Sequence, residues 1–254
     1  MNLGQSSFLF AAFAALCSAA TAATPLKICD DEAGWPPYTF ADPKNPQAIV
    51  GASAELLVEI LKRAGYEPQI TLLPWKRCLA EVERGTMSML MNAAYSEDRA
   101  QKYLMSAPYY SVHSALFYLN SKYPVAPKLA AVADMKQYRY CGLFGYNYTM
   151  YDIPEAKMDT GAKDEWTRFA KLRHDRCDFA LGDVEVLNGF VAMGLVDLGG
   201  VSHIPIPGDK PKDFYALVTR APSGGEKLLK VLNDGIAAAK ADKSYTRIFK
   251  KYGI

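Results

Sequence analysis

The sequence predicts an α/β protein built as two lobes, and three features carry that prediction. Short apolar runs alternate with segments of helical spacing; the alternation stops at an extended, proline-containing stretch and restarts; and the C-terminal segment reads as helices without a further sheet of its own. Half of the 254 residues are hydrophobic, which is ample for a core in each lobe.

Residues 26–29 form a short apolar run ending at Asp30, Asp31 and Glu32, which predicts a buried strand entering a loop. Pro36 and Pro37 exclude helix from residues 34–40 and hold Trp35 and Tyr38 on a stiff extended segment. In residues 53–64, Leu56, Leu57, Ile60, Leu61 and Ala64 recur at helical spacing, and Gly65 supplies the stop. Residues 70–73 read as a second strand feeding a helix that opens at Pro74-Trp75 and closes at Gly85; residues 87–91 read as a third strand. Strands separated by single helices predict a mostly parallel sheet, whose carboxyl ends gather ligands.

Residues 112–119 read as an extended crossing, followed by a loop with Pro124 and Pro127. The rhythm then restarts with strands at 138–144, 179–181 and 202–206 and helices at 165–174 and 184–193. Residues 214–219 form a last extended run before helices at 225–240 and 243–252. The expected division is an export segment at 1–23, a first lobe at 24–110, a second at 111–210 and a return to the first at 211–254. The hinge is expected near residues 109–114 and 207–214.

Residues 1–23 carry no charged side chain, and their apolar run ends in the small residues Thr21, Ala22 and Ala23, the pattern of a cleaved export signal. It lacks the usual basic residue at its start. Cys17 is preceded by Leu16 where a lipid-anchor signal needs a small residue, so a soluble exported product is expected. No other stretch approaches the roughly 18 continuous apolar residues of a membrane span. A net charge of +2 offers no basic field for nucleic acid or membrane surfaces. Cys29, Cys78, Cys141 and Cys177 form an even set in an exported chain, which favours disulfides over a metal. Three pairings are open; Cys29 with Cys78 and Cys141 with Cys177 is favoured, because each bridge then stays within one lobe.

The stretch at 92–110 carries the chemistry. Ser96 fits an N-cap, Glu97 and Asp98 fall in the first turn, and Arg99 is then the third helical residue, beside unpaired backbone amides. Read locally, Arg99 serves either an ordinary surface ion pair or a grip on an anionic ligand. His113, His174 and His203 lack metal-ligand spacing, and no nucleophile elbow or phosphate loop occurs, so no metal, cofactor or catalytic residue is expected.

Taken together, WPPYTF, ILKRAGY, PWKRCLAEVERG, YSEDRAQKYLMSAPYY, GLFGYNY, CDFALGD and SYTRIFKKYG resemble, in this order, a family 3 extracellular solute-binding protein. The resemblance implies the type II periplasmic-binding-protein fold, two α/β lobes joined by two crossover strands that close about a hinge, and a periplasmic monomer that hands a small solute to an ABC permease. It implies that Arg99 grips the ligand carboxylate and Asp183 takes an α-ammonium from the opposite lobe. Trp35 and Trp75 would flank the ligand side chain, Glu32 would make a polar contact, and Gly145, Tyr146 and Asn147 would bring backbone close to the ligand. Where amino-acid-binding members place a serine or threonine five residues before the arginine, this chain has Ala94, which leaves the clamp one hydroxyl short.

Arg77 and Lys76 near the mouth would suit an acidic solute, whereas two tryptophans suit an apolar or cationic one, so the solute stays open. Two other roles fit the scaffold: a ligand-binding partner of a membrane sensor, and a dehydratase recruiting Glu32 or Lys76.

Overall fold

The computed structural model describes residues 23–221 and 224–254, and the expected export segment lies outside them but for Ala23. The first lobe begins with β1 (Thr24–Asp31), a hairpin of β2 (Phe40–Asp42) and β3 (Asn45–Val50), α1 (Ala52–Arg63), β4 (Tyr66–Leu73), α2 (Trp75–Glu83), β5 (Met89–Ala94), the short α3 (Glu97–Lys102), β6 (Tyr103–Met105) and β7 (Tyr110–Val112). The second holds β8 (Ser114–Leu119), β9 (Tyr140–Leu143), β10 (Met158–Ala162), α4 (Glu165–Arg173), β11 (Phe179–Asp183), α5 (Val184–Ala192) and β12 (Val201–Pro205). The chain then returns through β13 (Lys212–Thr219) to α6 (Gly225–Ala241) and α7 (Ser244–Lys251) on the first lobe.

The first sheet runs β4-β1-β5-β13-β6 with β7 on β13, and the second runs β10-β9-β11-β8-β12. In the first sheet β1 pairs with β4 and β5 in parallel, as the alternation predicts, while β13 lies antiparallel to β5, β6 and β7. The returning strand is inserted from the other direction, which makes the sheet mixed. The crossing expected at 112–119 is divided: β7 belongs to the first sheet and β8 to the second, with His113 between them. Lys212 lies opposite Val112 and Phe214 opposite Tyr110, so the outgoing and returning chains run side by side.

Helices α1, α6 and α7 cover one face of the first sheet and α2 the other. The helical stripe of α1 buries Leu56, Leu57, Ile60 and Leu61. Burying an aliphatic side chain of this kind stabilises by about 1.5–3 kcal/mol, so the stripe decides how α1 docks. Gly51 ahead of α1 has φ 125°, and a Cβ there would lie 2.2 Å from the Tyr38 carbonyl oxygen, so only glycine fits. Disulfides join Cys29 on β1 to Cys78 on α2, and Cys141 on β9 to Cys177 after α4, the favoured pairing. No helix among the described residues is long and apolar enough to cross a membrane.

Candidate functional site

Strands β1, β5 and β11 end at Asp31, Ala94 and Asp183, and these carboxyl ends open on one cavity between the lobes. This follows from chain direction: parallel strands carry their following loops to the same edge of the sheet. Six of the residues expected there, Trp35, Trp75, Arg99, Tyr146, Asn147 and Asp183, line the cavity. Gly145 does not; it lies in an adjoining groove, where a Cβ would come within 3.0 Å of the Lys76 side chain.

Arg99 reaches the cavity as its cap predicts. Ser96 Oγ accepts from the Arg99 amide at 3.2 Å, and the guanidinium is turned inward, donating from Nη1 to the Ala94 carbonyl at 2.7 Å. It stacks 5.4 Å from the Trp75 ring centroid. Only 8% exposed, it makes no ion pair with any described acid, and burial lowers its pKa. A buried cation without an anion is costly. The indole Nε1 of Trp75, also buried, has no acceptor among the described residues.

The expected contact of Glu32 is corrected. β1 continues two residues beyond Cys29, so the acids buried at its end are Asp30 and Asp31, while Glu32 is exposed and outside the cavity. Asp31 accepts from the Ala33 amide at 3.2 Å and from the Tyr146 hydroxyl at 3.0 Å. The second of these bonds spans the cleft, because Tyr146 follows β9 of the opposite lobe. Burial pushes Asp31 up to about 6 and Asp30 up to about 7. Arg77 is corrected too: it sits on the outer face of α2, 63% exposed, 3.7 Å from Glu81 and away from the cavity. The buried face of that helix carries Trp75, Cys78 and Val82.

Asp183 lines the cavity from the second lobe and is 7% exposed. Its carboxylate is already held: Ser114 Oγ donates at 2.7 Å, and Lys212 Nζ lies 2.8 Å from each oxygen. A second buried pair, Arg168 with Glu165 on α4, backs the same wall, with Arg168 also donating to the Leu181 carbonyl. Burial raises Glu165 to about 7. Arg168, Glu165, Lys212, Ser114 and Asn92 line the cavity without having been expected there. The i, i+3 spacing of Glu165 and Arg168 and the place of Lys212 in the returning crossing were the available signals.

Asn92 organises the floor. It donates to Asp30 and to Thr39 Oγ1 (2.8 Å), and it accepts from Tyr109 (3.0 Å) and Tyr110 (2.9 Å). Tyr110 in turn accepts from Trp35 Nε1 at 2.9 Å. The polar edge of Trp35 is thereby fixed, and its ring stands 5.9 Å from that of Tyr146. Lobe-to-lobe packing continues outside the cavity: a Cβ on Gly189 of α5 would fall 2.7 Å from the Pro36 carbonyl. No metal-ligand cluster occurs among the described residues.

The family model of the bacterial extracellular solute-binding proteins, family 3, matches residues 26–254. No curated protein matches the chain by sequence. Among solved structures, an amino acid ABC transporter substrate-binding protein from Streptococcus pneumoniae bound to L-arginine superposes with a TM-score of 0.74 at 16% identity, covering 90% of this chain and 94% of that one. A histidine kinase sensor domain with similarity to periplasmic binding proteins gives 0.75 at 18% identity, covering 91% and 96%. An ancestral amino acid-binding protein, a precursor of cyclohexadienyl dehydratase, gives 0.70 at 15% identity, covering 90% and 95%. At such identities the likeness establishes the bilobal fold alone.

Proposed function

The chain belongs to family 3 of the bacterial extracellular solute-binding proteins, and on that footing we propose that it captures a small carboxylate, an amino acid or a close relative, by closing its lobes, and delivers it to an ABC importer from the periplasm. The observation that carries this reading is Arg99, a buried guanidinium facing the interlobe cavity with no ion pair to any described acid. A carboxylate there would satisfy the planar fork with two charge-assisted hydrogen bonds. Residues of both lobes line the cavity, so a ligand touches all of them only when the cleft is shut, and that difference in affinity drives closure.

Binding without chemistry is the role we assign. The two residues open to a dehydratase role on the sequence, Glu32 and Lys76, do not line the cavity; Lys76 Nζ lies 4.0 Å over the Phe144 ring at the mouth. Tyr146 and Asn147 serve the closed form: Tyr146 reaches Asp31, and Asn147 Nδ2 donates to the Tyr95 carbonyl at 3.4 Å.

A thermal-shift panel of amino acids, their deaminated carboxylates, dicarboxylates and amines tests the reading. A solute at a hundred times its dissociation constant stabilises by about 2.7 kcal/mol, which raises the melting temperature by roughly 5–10 °C for a chain of this size. Carboxylates are expected to produce the shift. A response to amines lacking a carboxylate, with none to carboxylates, would overturn the assignment.

A further inference from the structure

We propose that Lys212 sets the specificity of this site and that the preferred solutes are carboxylates without an α-ammonium group. The inference rests on the reading of Arg99 as the carboxylate grip and narrows the solute within that class. Asp183 is a buried acid that the second lobe brings to the cavity, and the chain supplies a cation of its own to it. Lys212 Nζ lies 2.8 Å from both carboxylate oxygens, and Ser114 Oγ adds a third donor at 2.7 Å. Four lone-pair directions are available on a carboxylate, and three of them are filled. An incoming ammonium would have to share Asp183 with another ammonium at close range, where like charges repel.

The position of Lys212 makes this arrangement durable. It stands on β13, paired opposite Val112 of the other crossing, while Ser114 opens β8 one residue beyond His113. Asp183 in turn pairs with Ser114 in the second sheet. The three partners thus sit at the hinge, where the lobes move least relative to each other, and Lys212 is only 20% exposed on its side chain with its ammonium 5.6 Å from the Phe214 ring centroid. The other acid on this wall, Glu165, has Arg168 beside it, although Glu165 Oε2 and Arg168 Nε and Nη2 find no further partner among the described residues. Each acid that the described residues of the second lobe bring to the cavity thus already has a cation of the chain beside it.

The test is a set of matched pairs differing only in the amino group: L-leucine with 4-methylpentanoate, L-phenylalanine with 3-phenylpropanoate, L-glutamate with glutarate, and L-arginine with 5-guanidinopentanoate. Affinities are measured by titration calorimetry on the mature chain and on Lys212→Met and Lys212→Arg. The wild-type protein should bind the deaminated member of at least one pair tenfold or more tightly. Lys212→Met should shift that ratio at least tenfold toward the amino acid, and Lys212→Arg should leave it near the wild-type value. Tighter binding of amino acids by the wild type overturns the proposal without any variant, as does a ratio that Lys212→Met leaves unchanged. Loss of amino-acid binding in Asp31→Asn, with Lys212→Met neutral, also overturns it and moves the ammonium to Asp31. If no member of any pair binds in an Arg99-dependent manner, the carboxylate reading itself fails, a result distinct from binding with the opposite preference.

Discussion

Replacing Arg99 with methionine separates the two roles a buried arginine can have. In the empty protein its guanidinium donates one bond to the Ala94 carbonyl and meets no described acid, and burial disfavours its charge. Methionine keeps an apolar stem beside Trp75 and removes that charge. The lost hydrogen bond is worth about 1.5–3 kcal/mol, and the relieved desolvation is of similar size, so the melting temperature of the empty protein should stay within about 4 °C. With a carboxylate bound the balance reverses. Truncating one side of a buried, hydrogen-bonded charge pair costs about 2–5 kcal/mol, a loss of affinity of roughly 30- to 5000-fold. Calorimetric titration of a carboxylate from the panel, beside a thermal melt without it, measures both numbers. Arg99→Lys keeps the charge but not the fork, so it should recover only part of the affinity. A fall of more than about 10 °C in the empty protein with less than about tenfold loss of affinity would refute the argument and make Arg99 a structural residue.

Three further outcomes follow from the same geometry. Burial raises Asp30 from 3.8 to about 7, so the folded chain keeps a proton that the unfolded chain releases near pH 4. Stability should therefore decline as pH rises from about 4 to about 7, by roughly 4 kcal/mol from this group; Asp30→Asn should flatten the slope in urea melts at pH 4.5 and pH 8, and an unchanged slope would count against it. Gly189→Val places carbon against the Pro36 carbonyl, so it should leave the melting temperature of the empty protein nearly unchanged while weakening solute binding tenfold or more; scattering curves that still contract fully on saturation would contradict this. Removing the Cys29–Cys78 bridge, which spans 49 residues, should cost about 4 kcal/mol on the chain-entropy model, read as a lower urea midpoint.

The legible parts of the fold were those dictated by local pattern. The stripe of Leu56, Leu57, Ile60 and Leu61 defines α1, and Ser96 caps α3 where its position before two acids indicates. Less legible were elements whose stability comes from neighbours. β10, of sequence MDTGA, is a strand only because β9 pairs with it, and β2 and β3 support each other although Pro46 lies within β3. β4 begins at Tyr66 rather than near residue 70, since alternating residues on an edge strand leave half its side chains in solvent and weaken the apolar signal.

At the site, the residues legible in sequence were those with unusual local chemistry, and those missed were ordinary charges made special by distance along the chain. Arg99 stands out because a cap places it. Lys212 does not, for a lysine beside Lys210 and Pro211 looks like any solvated loop residue until β13 brings it 2.8 Å from an aspartate 29 positions earlier. The error at Glu32 has the same origin. Ending β1 at Cys29 shifts the following acids into a loop, whereas pairing with β4 through Asp31 and Leu73 carries the strand on and buries Asp30 and Asp31 instead. The consequence reaches function: a zwitterion grip inferred from Arg99 and Asp183 alone counts one cation and one anion, while the assembled wall adds Lys212, Arg168, Glu165, Asp30 and Asp31. Lys212 is paired with Asp183 and Arg168 lies beside Glu165, whereas Arg99 meets no described acid, and the cavity acids without a described ion pair, Asp30 and Asp31, are on its own lobe. Selectivity in such a site is decided by which charges the protein has already satisfied, and that is a property of the folded chain.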